Sequence, residues 1–302
     1  MHAFVPAVEA VVPTFLLMAL GALTDRLFPD LRLETLTRLS LYVLMPALVF
    51  DALATTELRL DEATRLALAY LLYLTLTGLA AALAARGLSR AAGKALVACS
   101  LFGNTGNMAL PITLFAYGVA GLERALVLLV LSSLLMFSFA PALLSPSGEP
   151  LGGRVRQALT LPPLWGGLLA VLANLVAFDV PLVLERSVSL VGSAAIPIML
   201  LSLGMQMRRT WVWTVSNAAL RATLVRLVAG PALAFAAATI LALPGLDRNV
   251  LVLSATMPVA VTMFVLAVEV RGDHSSVART VVTMTIVSVV TITLALAWLP
   301  SP

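Results

Sequence analysis

The sequence predicts an all-α integral membrane protein: ten transmembrane helices, built as two inverted five-helix repeats. Three observations carry that reading. The 302 residues are 61% hydrophobic and only 11% charged, whereas a soluble domain carries roughly a quarter charged residues. The apolar residues come in blocks about as long as a ~30 Å hydrocarbon layer requires. Prolines recur inside those blocks at matching places in the two halves of the chain.

Taken in order, the spans are 6–24, 36–54, 66–85, 95–117, 124–144, 161–178, 187–206, 217–242, 249–270 and 276–299. The first lacks a basic leader and an A-x-A site, so it reads as a retained helix and not as a signal peptide. Most connections are short. The longest polar one, 145–160, is rich in Pro, Gly and Ser and separates a first half, 1–144, from a second, 161–302. No polar stretch is long enough to hold a soluble core of its own. Thirteen of the nineteen Lys and Arg residues fall in loops after odd-numbered spans, five after even-numbered ones, and Arg226 inside span eight. Basic loops stay cytoplasmic, so the 145–160 linker is expected inside and both termini extracytoplasmic. Five spans per half is an odd number, which makes the halves enter the membrane in opposite senses, as an inverted repeat requires. Met45-Pro46-Ala47 in span two pairs with Ile196-Pro197-Ile198 in span seven. Leu110-Pro111 in span four pairs with Met257-Pro258 in span nine.

The most informative stretch is Phe102-Gly103-Asn104-Thr105-Gly106-Asn107-Met108-Ala109-Leu110-Pro111, in the middle of span four. Pro111 removes a backbone donor and crowds the carbonyl one turn back, and Gly103 and Gly106 ease non-helical backbone. A broken helix at membrane depth is tolerated only where protein buries it or it lines a wet cavity. The expected break has its second half starting near Pro111, with an electropositive amide end able to face an anion. Asn104, Thr105 and Asn107 add side-chain donors and acceptors. In span nine, Pro258 breaks the ladder again, with Ser254, Thr256 and Thr262 supplying hydroxyls. Two such breaks meeting at the midplane form a carrier's solute site. Asn104, Thr105, Asn107, Pro111, Thr256, Pro258 and Thr262 are therefore the candidate substrate-binding residues.

Ionisable groups inside spans are functional candidates by default. Glu9, Asp51 and Glu269 are the candidates for ion or proton coupling. Arg226 lies a turn and a half beyond Arg221 and reads as a residue that snorkels to the interface. Trp165, Trp211, Trp213 and Trp298 sit near span ends, where interfacial anchoring is expected. Cys99 is the single cysteine, and His2 and His274 stand apart, so neither a disulfide nor a zinc site is expected. The basic residues form no single face for nucleic acid. No P-loop, TVGYG filter, G-x-S-x-G or H-E-x-x-H motif occurs, so neither an ATP-driven pump, a potassium channel nor a membrane hydrolase is expected. No cofactor is expected, and the chain is not expected to be an enzyme.

These residues resemble the auxin efflux carrier family, which includes plant PIN-type exporters and bacterial permeases for malonate or malate. Asn104 to Pro111 looks like the fourth-span element, and Ala255-Thr256-Met257-Pro258 with Phe264 and Glu269 like the ninth. Met45-Pro46-Ala47-Leu48 and Ala195-Ile196-Pro197, with Ser202-Leu203-Gly204, look like the second- and seventh-span elements. The resemblance implies a fold similar to bile-acid sodium symporters, with broken crossover helices. It implies a scaffold of spans one, two, six and seven, and a mobile unit of the other six. It further implies elevator-type alternating access, a homodimer in the cell membrane, and secondary transport of small organic anions, with Na+ or H+ as candidate coupling ions. Asn104 matches the family's substrate-facing Asn, and Pro111 and Pro258 match its crossover prolines. Two departures from plant members, the short linker and Val259 in place of a polar residue, point to a bacterial permease and away from auxin itself. The alternatives are a sodium-coupled symporter of the bile-acid type, a passive channel and a sensor without transport.

Overall fold

A computed structural model describes residues 4–54, 56, 58–146, 151–176, 178, 180–212 and 214–299. His2, Trp213 and linker residues 147–150 lie outside the described residues, as does the side chain of Arg154. The described residues form α1 (Phe4–Leu27), α2 (Leu33–Ala54), α3 (Leu60–Ala84), α4 (Arg90–Leu101) and α5 (Thr105–Leu144). A short linker helix, α6 (Leu151–Ala158), leads into α7 (Pro162–Leu175), α8 (Leu182–Arg209) and α9 (Asn217–Ile240). The chain ends with α10 (Gly245–Ala255), α11 (Thr262–Glu269) and α12 (His274–Trp298). Among the described residues there is no strand, only one backbone bridge between Gly103 and Val259.

Seven helices, α1, α2, α3, α5, α8, α9 and α12, are long and apolar enough to cross a membrane, and α7 is a shorter apolar helix. Their outward faces carry large apolar side chains such as Leu16, Leu79, Val183, Leu190 and Val228. Such surface fits a hydrocarbon surround and would drive association in water. The 40 residues of Thr105–Leu144 would measure about 60 Å as one straight helix, twice the hydrocarbon thickness. Gly118 divides them, with φ 65° and ψ −159°, a conformation essentially confined to glycine. The helix 60–84 begins earlier than its apolar block. Asp61 and Glu62 occupy its first turn, where the amino end of a helix favours acidic groups, and the Glu62 carboxylate accepts the Arg59 N–H at 3.4 Å.

Three wide π turns interrupt the helices, at Ser40–Leu44, Thr105–Ala109 and Leu224–Ala229. A proline stands two positions beyond each: Pro46, Pro111 and Pro231. The shared cause is steric. A proline ring clashes with the carbonyl four residues back, and widening the preceding turn moves that carbonyl aside. This corrects the expected position of the first break. Pro111 lies inside continuing helix, and the chain leaves helical geometry at Phe102–Asn104, before Thr105.

Packing within the bilayer depends on small residues that let backbones touch. Gly21 of α1 lies against the backbone of Leu201 in α8, and Gly204 of α8 against the backbone of Met18; a side chain at either would collide. The second helix is held in the same way, Gly166 of α7 facing Pro46 and Gly192 of α8 facing Leu48. At one end of the α1–α8 pair, the buried Asp25 carboxylate receives Arg208 at 2.6 Å and Arg209 at 2.7 Å. The remaining long elements, α3, α4, α5 and α9 to α12, pack chiefly on one another, with α5 and α12 also touching α1. Arg124, six residues beyond Gly118 in the second half of α5, pairs with Asp247 at the start of α10.

Candidate solute site

The two broken helices meet back to back. Asn104 donates its backbone N–H to the Pro258 carbonyl at 2.7 Å, and Ala260 donates to the Phe102 carbonyl at 3.2 Å. These bonds flank Gly103 and Val259, so two extended residues from opposite halves of the chain satisfy each other where neither has a helical partner. Four helix ends converge here: the carbonyl ends of α4 and α10, and the amino ends of α5 and α11.

The carbonyl ends are closed by one side chain. Arg226, on the π turn of α9, is 1% exposed and does not reach the interface, contrary to the snorkelling expected from sequence. Its Nε donates to Met257 O at 3.0 Å, its Nη1 to Ser100 O at 3.1 Å and Leu101 O at 2.9 Å, and its Nη2 to Ser254 O at 3.3 Å. Four of the five guanidinium N–H groups are thus engaged, three by carbonyls in the last turns of α4 and α10 and one by Met257 O just beyond α10. Gly103 is glycine for this reason, because a Cβ there would collide with the guanidinium.

On the other side of Gly103 lies a cavity of about 170 Å³. Gly103, Asn104, Thr105, Gly106, Asn107, Ala260 and Thr262 form one wall, Ser133, Met136 and Phe137 of α5 continue it, and Ser40 of α2 with Met199, Ser202 and Gln206 of α8 stand opposite. Asn104 is 5% exposed. Its Oδ1 accepts the Asn107 backbone N–H at 3.1 Å. Since only the oxygen can accept, the amide NH₂ remains as a donor. The hydroxyls of Ser40 and Ser202 are buried without a hydrogen-bond partner among the described residues. Among the described residues no Asp or Glu lines the cavity.

A family model described as membrane transport protein matches residues 6–153 and 151–296. An uncharacterized transporter of Methanothermobacter thermautotrophicus is 30% identical over 299 residues, covering 96% of this chain and 98% of that protein. The chain belongs to the membrane transport protein family. A second relative, an uncharacterized transporter of Methanocaldococcus jannaschii, is 23% identical over 298 residues, covering 94% of this chain and 96% of that protein. This is the auxin efflux carrier family that the motifs resemble, and it makes the protein a transporter and not an enzyme. Both of these relatives are archaeal, whereas the resemblance pointed to a bacterial permease.

Within this transporter, Asn104, Thr105, Asn107 and Thr262 come together on the cavity wall. Pro258 sits in the crossing and contributes its carbonyl. Pro111 is buried in α5 beyond the π turn, and Thr256 is buried with its hydroxyl bonded to Leu253 O at 2.6 Å; neither lines the cavity. Glu9 and Glu269 are exposed. Asp51 lines a separate pocket of about 250 Å³ together with Glu185. The three acidic candidates are therefore not brought together at the cavity. Ser40, Ser133, Ser202 and Gln206 were not singled out from sequence as solute contacts. Single polar side chains inside apolar helices carry little signal, and only the packing of α2, α5 and α8 around the crossing places them on one cavity.

Proposed function

We propose that this transporter is a secondary carrier of small organic anions, carboxylates first among them, and that the cavity beside Asn104 is its solute site. The observation that carries the proposal is the committed Asn104 side chain. Its oxygen is held by Asn107, so it presents donors to a cavity flanked by two helix amino ends and, among the described residues, lined by no carboxylate. Donors and amino ends favour negative charge. A cavity of about 170 Å³ suits a small solute.

The same reading extends to architecture. Counting α4 with the first half of α5 as one crossing, the rest of α5 as the next, and α10 with α11 as another gives ten crossings. They divide into five-helix repeats over 1–144 and 161–302, joined by the 145–160 linker. The broken crossings are then the fourth and ninth. Elevator motion would carry α3 to α5 and α9 to α12 past a scaffold of α1, α2, α7 and α8. The glycine-mediated backbone contacts within the scaffold set support this division, as does a cavity with one wall from each set. The arginine bias supports cytoplasmic odd-numbered loops and extracytoplasmic termini. A homodimer in the cell membrane, with H+ or Na+ as coupling ion, completes the proposal.

The test is uptake of labelled malonate, malate and related carboxylates into proteoliposomes. Asn104→Ala removes a hydrogen bond to a charged solute, worth about 1.5–3 kcal/mol, so uptake is expected to fall roughly ten- to a hundredfold. The variant also loses the cap on the Asn107 N–H, so its stability should fall by about 0.5–2 kcal/mol while the protein still folds. Uptake equal to the parent's would sink the site assignment.

A further inference from the structure

We infer that Arg226 is a specificity-determining residue of the solute site, one that sets the sign of the solute it accepts without touching it. The inference rests on the anion-carrier reading and explains where that preference originates. A helix amino end carries roughly half a positive charge and a carbonyl end roughly half a negative charge. Two of each converge at the crossing. Left alone they nearly cancel, and the cavity would favour neither sign.

Arg226 removes one side of that balance. Its guanidinium bonds Ser100 O and Leu101 O at the end of α4, Ser254 O in the last turn of α10, and Met257 O two residues beyond that helix. One full positive charge meets two carbonyl ends of about half a charge each. Among the described residues no carboxylate lies within ion-pair distance of Arg226; besides the carbonyls its guanidinium faces only the Tyr73 ring, 6.0 Å away, so no anionic side chain competes for the cation. The amino ends at Thr105 and Thr262 are left uncompensated beside the cavity, summing to about one positive charge, the complement of one carboxylate. The guanidinium stands directly behind Gly103, which lines the cavity. The site needs no bound metal ion to prefer an anion, because the protein carries the cation itself.

The experiment measures thermal shifts of purified protein with malonate, succinate and benzoate, each against its neutral amide. The parent is expected to respond to acid over amide. In Arg226→Gln that preference should fall about tenfold or more, and Arg226→Lys, which keeps the charge, should retain part of it. A purely structural role would weaken acid and amide alike; an Arg226→Gln protein that keeps the full preference overturns the inference. Should Arg226→Gln not fold, Gly103→Ala keeps the arginine but displaces its guanidinium and is expected to lower the same ratio; an unchanged ratio overturns it too. If no acid binds the parent, the anion-carrier reading fails. Arg226→Ala then decides the capping role: its melting temperature should rise with millimolar guanidinium and not with sodium, and no such rise overturns it.

Discussion

Gly118 and Gly103 are glycines for different reasons, and the difference predicts different mutant behaviour. Gly118 holds φ 65° and ψ −159°, and nothing lies within 4 Å of a Cβ placed there. Gly118→Ala should therefore act through the backbone alone, lowering stability by about 1–3 kcal/mol. Denaturation in detergent checks this, and parental stability would mean that the turn at 118 is not held by the fold. Gly103 has no such backbone demand; its missing side chain makes room for Arg226. From sequence, Gly103 was legible as a helix breaker, but its purpose was not, because the partner lies in another span. Arg226 was misread for a related reason. Its partners are main-chain carbonyls, which every residue has and no motif marks. Asn104 was legible as a candidate because a polar amide in an apolar span stands out; its cap on the Asn107 N–H was not, because it depends on the helix starting at Thr105.

At the scale of elements, the contact between α1 and α8 is backbone on backbone, with Gly21 against Leu201 and Gly204 against Met18. A side chain there meets main-chain atoms that cannot rotate away. Gly204→Val should lower stability by about 3 kcal/mol or more, at the upper end for overpacking. Gly153→Ala, in α6 with open space around it, should be neutral or stabilise slightly, since alanine is the better helix former. Size-exclusion melting curves compare the two; similar losses would mean that the crossing yields. Block length made the long helices readable. The position of the first break was not, because Pro111 reads as a helix breaker until the π turn before it is seen to absorb its ring. Pro258, with no such turn ahead of it, sits where the sequence placed the break.

At the scale of the whole molecule, a carrier exposes its cavity to one side of the membrane at a time, and a channel to both. The single cysteine, Cys99, is buried, so Cys99→Ser gives a clean background for Ser133→Cys, a cavity-lining position. A membrane-impermeant thiol reagent should label this variant predominantly from one face, and added solute should shift the balance between faces. Equal, solute-independent labelling from both faces would argue for a continuous pore. The crossing also imposes an order on how the protein is made. Asn104 awaits Pro258, and the end of α4 awaits Arg226. At ~5–20 residues per second a ribosome takes roughly 8 to 30 s to synthesise the stretch from 104 to 258. Throughout that interval the nascent first half carries main-chain groups at 102–104 and at the end of α4 without their final partners. It needs shelter from an insertase or chaperone until the second half arrives, and a chain that stops before α9 should be a preferred target of membrane quality-control proteolysis.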